Sequence, residues 1–531
     1  MTTKHPQAPA ISATNPTPDL QELIAQARAG RWLERALLFS LVVHGVASVG
    51  SAFLLLPGTP GVPADVAARM AYVANHPVLW WVGWFPWHFA ALANLLLAVA
   101  LLRTRSVARL PAVLALVLTV LAIIPDQGGQ FVWNTHGVAV AQAGNVADYL
   151  AFENQVFAAI GGWASIGYTF VGLCWTWCFI SAGLWRRWLT WYSLALWGLF
   201  LFVSITPLVP ALRAVPGIVT VGTAVSLALF LLWLTVVLEL ALRRSRPDTP
   251  SGRYALWLHP ERILGRGDDL LANSRVVRRF CELLPVVAFD SSITDVIYVN
   301  YVTEASQLEP LVPPGLELQR VGPDGRYAVF TFLVYRHGHF GPRLLGPLRR
   351  ALMPSPIQSN WRIYVTDPRT GHRGTYFVST AVNSTFVGVM GRLMAEGLPL
   401  HIFERARLWN TGDGTLYLRV QPGAGTAPDA EALLRLSNER PTSGAWSLCF
   451  ESYEAMLAYV VPQDRAFSVQ PWHARVTRQE IQLGIPLEAC QPLEGEVTSA
   501  TARALVGEST PFCFRVPSVA FRFDEQVYDP L

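Results

Sequence analysis

The stretch QSNWRIYV (358–365) carries side chains suited to holding a small acid. In an extended strand alternate residues share a face, so Arg362 and Tyr364 point one way and Trp361 the other. A guanidinium presents N–H donors in a planar fork, which suits bidentate recognition of a carboxylate. An arginine in such a place has a second use, an internal ion pair with an acid such as Glu404, and the residues alone leave both open. His337 and His339 in YRHGHF (335–340) could offer a metal two ligands, but no third accompanies them and a polar loop is the simpler reading. Ser379 lacks the elbow motif of a hydrolase nucleophile.

Lysine chemistry is almost excluded. Of 41 basic residues only Lys4 is a lysine, and it lies in a Pro-containing N-terminal stretch, so Schiff-base catalysis by the rest of the chain is not expected. Six cysteines are scattered without a CxxC pair, which suggests neither a zinc site nor a disulfide framework. The net charge of +4 is small for 531 residues and the cations form no stripe, so nucleic acid is not an expected partner.

The elements that must carry these residues differ sharply between the two halves. Only 15% of residues are charged, against roughly a quarter in soluble proteins, and the mean hydropathy is +0.33. Six apolar runs approach the length of a bilayer span: 36–56, 78–102, 109–125, 157–184, 188–209 and 216–242. The third is the shortest. Arginines cluster on one side: Arg28, Arg31 and Arg35, then Arg103, Arg105 and Arg109, then Arg186 and Arg187, then Arg243, Arg244 and Arg246. The opposite side has only Arg69 and Arg213, so both termini are expected in the cytoplasm of a bacterial inner-membrane protein. The Trp-rich stretches 79–89 and 184–192 are expected near the headgroups.

Within the spans, His44 and His88 fall at similar depth and could ligate haem or simply hydrogen-bond in a packed bundle. The stretch 125–155, with Asp126, His136, Asp148 and Glu153, reads as an ordinary polar loop kept free of arginine, or less simply as a cation entry. Glu239 can pair with Arg243 one turn on. Cys174 and Cys178 share a helical face, where packing is their ordinary role.

The second half alternates strands and turns. Strands are expected at 296–302, 326–335, 361–367, 374–382, 404–409, 415–420, 466–470 and 474–478. A helix over 384–397 has Ser384 as its N-cap and Gly397 as its C-cap. The segment 274–287 is either an amphipathic helix on the inner leaflet or the first helix of the domain.

LEPLVPPGLEL (308–318), NWRIYVTDPRTGHRGTYFVSTAVNS (360–384) and GLPLHIFERARL (397–408) together resemble an uncharacterised bacterial family of the acetoacetate decarboxylase-like superfamily. The resemblance spans roughly 295–480. It implies an α+β domain with a curved, mainly antiparallel sheet enclosing a pocket, behind an all-α six-helix transmembrane bundle. In the decarboxylases a Gly-Phe-Pro turn precedes the Schiff-base lysine; here Leu400 and His401 stand at that place, and Gln358 falls near a family glutamate. The shell is implied and the decarboxylase chemistry is not. Gln358 and Tyr364 could orient a ligand held by Arg362, with His401 capping it from the turn.

The organisation expected is a tail (1–30), a six-helix membrane domain (31–244), a linker (245–275) and a cytosolic domain (276–531). Its partners are the bilayer and a small carboxylate or hydrophobic ligand, with no cofactor. The alternatives are a membrane-anchored enzyme of another reaction type in the same pocket, and a redox or transport protein acting through its spans.

Overall fold

The computed structural model describes residues 20–245 and 263–530, apart from 61–64, 105, 184, 214, 216, 282, 284–287, 395–399, 462–463, 470–474 and 483. Lys4, most of the expected linker and the Gly397 cap lie outside the described residues. Two compact units divide the chain, 1–245 and 246–531.

Six helices of the first unit are long and apolar enough to cross a membrane: Gly30–Gly58, Pro77–Arg103, Arg109–Gln142, Val146–Ser181, Arg187–Leu208 and Ile218–Arg243. The third is one of the longest, not the shortest. The stretch 125–155 is not a loop. It continues as helix through Val132, a π-helical turn at Trp133–Gly137 and Val138–Gln142, then resumes at Val146–Phe157.

Two of the polar residues that suggested a loop, Asp126 and Glu153, turn inward and are hydrogen-bonded, while His136 and Asp148 are exposed. Asp126 accepts from Gln130 at 2.7 Å, Tyr168 at 2.9 Å and Gln127 at 3.1 Å. Glu153 holds Arg69 in a bidentate pair, with contacts of 2.9 and 2.6 Å, both side chains being buried.

The aromatic stretches split. Trp81, Trp188 and Trp191 are exposed, as at a lipid surface, whereas Trp80 is buried against Trp84 and Trp133. His44 bonds the Ser40 carbonyl at 2.8 Å and His88 contacts Gln127 at 2.6 Å, so each histidine has its own partner. Glu239 and Arg243 pair at 2.8 Å.

The second unit is built on a mixed sheet. Its described strands are β1 (Phe289–Glu304), β2 (Glu317–Leu318), β3 (Tyr327–Pro342), β4 (Ile357–Thr366), β5 (Arg373–Val382), β6 (Leu400–Ile402) and β7 (Arg405–Asn410). They continue as β8 (Thr415–Gln421), β9 (Ala430–Leu436), β10 (Arg465–Val469), β11 (Arg475–Gln482), β12 (Gln491–Thr498) and β13 (Phe512–Pro530). Their order is β1-β3-β4-β5-β10-β11-β13-β12-β9-β8-β7. The pairings are antiparallel except β5 with β6 and with β10. β13 is long enough to serve three neighbours: its first half pairs with β1 and briefly β12, its second half with β11.

The helix after β5 runs Thr385–Met394, with the Val387 amide donating to Ser384 Oγ, so the expected N-cap forms. Arg275–Cys281 packs on this unit as one of its own helices: Arg278 is buried and donates to the Arg392 carbonyl. Around the sheet lie two main cores. One gathers Phe332, Trp361, Ile363, Leu418 and Leu434; the other sets Tyr298, Leu333 and Tyr364 against Met456 and Leu457 of the helix Tyr453–Val460.

Candidate functional site

β4 is buried on both faces, and its alternation sorts them chemically. Trp361 faces one side, its ring stacked on Phe332 with centroids 4.3 Å apart. Gln358, Asn360, Arg362 and Tyr364 face the other. Cross-strand partners extend this polar face: Tyr335 opposite Gln358 and Thr331 opposite Arg362 on β3, then Asn300 opposite Thr331 on β1. It continues the other way, through Thr375 opposite Tyr364, Ala466 opposite Thr375 and Gln479 opposite Ala466.

Two hydrogen-bond chains run across the face. In the first, Ser291 Oγ meets His337 Nδ1 and His337 Nε2 meets Gln358 Oε1, both at 2.9 Å. Gln358 then donates to Asn360 at 2.8 Å, and Asn360 to the Tyr335 hydroxyl at 3.1 Å. An amide oxygen only accepts, so Nε2 of His337 carries the proton and Nδ1 accepts from Ser291. Burial pulls the His337 pKa down to about 4, so the imidazole is neutral at physiological pH. In the second chain Tyr364 contacts Thr331 at 2.8 Å, and Thr331 donates to Asn300 at 2.8 Å.

Arg362 sits beside these chains and is 4% exposed. Its Nη2 donates to the Val460 carbonyl at 3.3 Å, and its guanidinium lies 5.5 Å from the Tyr298 ring centre and 5.8 Å from that of Tyr364. Burial works against the charge, while the Tyr364 and Tyr298 oxygens favour it strongly enough to leave the pKa raised. Its Nε has no partner among the described residues. Among the described residues no carboxylate forms an ion pair with it. Glu404 is not near enough to do so: it packs against Gly423, where an added Cβ would meet its Oε2 at 2.1 Å.

Three of the four residues singled out from sequence therefore share one face. His401 does not. On β6 it lies opposite Ala381, which lies opposite Ser359 on the Trp361 side. It contacts Thr426 at 2.8 Å instead of capping Arg362. Leu400, opposite Thr380, takes the polar-face side and packs with Phe377 and Val382.

Sequence reasoning read His337 and His339 as a polar loop or, less simply, a metal pair; both lie instead in β3, where His337 joins the polar face and His339 contacts the Met353 carbonyl. It passed over Thr380 and Gln479. Thr380 Oγ1 and both amide atoms of the fully buried Gln479 lack partners among the described residues. The available signal was a polar residue at the inward phase of an alternating strand.

The second unit is thus a mixed-sheet domain with a polar face buried inside it. Residues 291–489 match the DUF2071 family, an uncharacterized conserved protein, a span that takes in the motifs carrying the resemblance. Several solved structures are similar to the chain. Acetoacetate decarboxylase from Legionella pneumophila is 13% identical, covering 46% of this chain and 90% of that one, with a TM-score of 0.32. The enduracididine biosynthesis enzyme MppR complexed with pyruvate is 15% identical over 46% and 91%, with a TM-score of 0.33. An acetoacetate decarboxylase-like enzyme from Sphingomonas wittichii RW1 is 12% identical over 47% and 95%, with a TM-score of 0.33. No curated protein matches the chain.

Proposed function

We propose that the second unit binds a small carboxylate, or a hydrophobic metabolite carrying one, on the polar face around Arg362, and does so without Schiff-base decarboxylation. One observation carries the reading. Arg362 Nε, Thr380 Oγ1 and the Gln479 amide are buried polar groups of one sheet face with no partner among the described residues. An unmet buried polar group costs about 1–3 kcal/mol, and a ligand carboxylate would supply acceptors for the guanidinium and for a donor beside it. Gln358 and Tyr364 orient that ligand, the first tied to His337 and the second to Thr331.

Leu400 and the single lysine at Lys4 argue against an imine mechanism. The pairing of β13 with both β11 and β1 supports a sheet wrapped about an enclosed pocket. The arginine distribution supports a multi-pass protein of a bacterial inner membrane, with both termini and the second unit in the cytoplasm.

The test is thermal unfolding of the full-length protein in detergent with short keto, hydroxy and fatty acids. An acid at 100 times its dissociation constant should stabilise by about 2.7 kcal/mol. Arg362→Met should abolish that response, with Gln479→Met weakening it. A response to no acid, or one that survives Arg362→Met, would sink the reading.

A further inference from the structure

The first unit contains a partly open cavity of about 730 Å3 to which all six spans contribute. That volume falls in the range of small-molecule sites, about 300–1,000 Å3. Most of its wall comes from the halves of the spans remote from the arginine-bearing ends.

Three properties of the wall define what would fit. The first is charge. Among the described residues no arginine, lysine or glutamate lines the cavity, and the ionisable side chains there are His44, Asp126 and Tyr168. The Asp126 carboxyl is already held by Gln127, Gln130 and Tyr168. An anion would find no cation, and an organic cation would have to displace three donors.

The second property is shape. Trp80, Trp84, Trp133, Phe157, Phe200 and Phe230 line it, with Trp84 and Trp133 stacked at 5.7 Å. Flat aromatic walls favour a flat ring, in offset or edge contact.

The third is unmet hydrogen bonding. The indole N–H groups of Trp80, Trp84, Trp133 and Trp175, together with Asn94 Oδ1 and Gln130 Oε1, belong to lining residues and have no partner among the described residues. Donors predominate, so the matching ligand brings oxygen acceptors. The helices also depart from α geometry here. The π-helical segments Ser51–Leu55, Trp133–Gly137 and Ala158–Ala164 each supply wall residues, and such turns recur at functional sites.

We propose that this cavity is a binding site for an uncharged, lipid-soluble, flat-ring molecule bearing carbonyl oxygens, a ligand of quinone type taken up from the bilayer. The ring packs between the tryptophans, and the carbonyl oxygens accept from their N–H groups. This site is independent of the carboxylate site proposed for the second unit.

The test is equilibrium binding of decylubiquinone to the full-length protein in phosphatidylcholine nanodiscs. One saturable site per chain is expected. Ala91→Phe, which fills a buried lining position, should weaken binding at least tenfold, and Trp84→Phe, which removes one indole N–H donor, several-fold. Trp191→Phe, on the exposed surface, should leave it unchanged. If Ala91→Phe does not fold, Trp84→Phe decides. Non-saturable uptake, unchanged affinity in folded Ala91→Phe or Trp84→Phe, or equal binding of decylbenzene would each overturn the proposal, since decylbenzene has the tail and ring but no oxygens.

Discussion

Both units bury arginine, and one from each, Arg69 and Arg362, are treated oppositely. Arg69 in the first unit lies against Glu153 in a two-point ion pair, with side chains 5% and 2% exposed. Arg362 in the second has a carbonyl, two aromatic rings and an idle Nε. A buried charge held by its counter-charge completes the protein. A buried charge held by neutral groups leaves part of its interaction for something else. The contrast separates an arginine that builds a unit from one that equips it.

The sharpest way to break that contrast is to take away the counter-charge. Glu153→Gln keeps the shape but strands the Arg69 guanidinium, which should cost about 3–5 kcal/mol. Chemical unfolding of the full-length protein in detergent would read it. Pairing the change with Arg69→Met should recover much of the loss, because two neutral side chains need no partner.

Acid is next in size. The pKa of His337 in the folded protein, about 4, lies below its ordinary 6.5, so between those values the unfolded chain binds the extra proton. The stability of the second unit should be fully present above pH 6.5 and fall as pH drops toward 4, by about 3 kcal/mol from this group. Burial and the Arg392 guanidinium also lower the His401 pKa, to about 3. Unfolding midpoints across this range should therefore show a shallower slope in His337→Gln, with a residual from His401.

Arg362→Met should change stability by no more than about 1 kcal/mol while removing the response to acids, since no ion pair is broken. A loss as large as that of Glu153→Gln would mean that both arginines are structural and the contrast fails. Smallest of all, Glu239→Ala removes a partly exposed one-turn pair and should cost about 0.5 kcal/mol or less.

How legible these features were depends on whether neighbouring residues in sequence decide them. The six spans follow from hydropathy alone, and strands such as β1, β3 and β5 announce themselves through runs of aromatic and β-branched residues. The helical stretch 125–155 did not, because Asp126, Gln130 and Glu153 resemble loop residues until partners from other spans are known.

β9 was missed for a related reason. AEALLRL is composed of helix formers, yet it lies between β8 and β12 with alternating burial. Tertiary pairing overrides a weak local preference. Arg362, Tyr364 and Gln358 were readable because alternation within one strand fixes their face. His401 was not, because a single-residue step in register exchanges the faces of β6, and the resemblance could place that turn only to within a residue.

The Arg69–Glu153 pair also bears on how the first unit is made. Its members are 84 residues apart, with the second and third spans lying between them. Arg69 is therefore made well before its counter-charge, and the pair closes only after two further long helices have been made and folded back. Its two-point contact ties the segment ahead of the second long helix to the start of the fourth, so it forms only when the helices between them have come together.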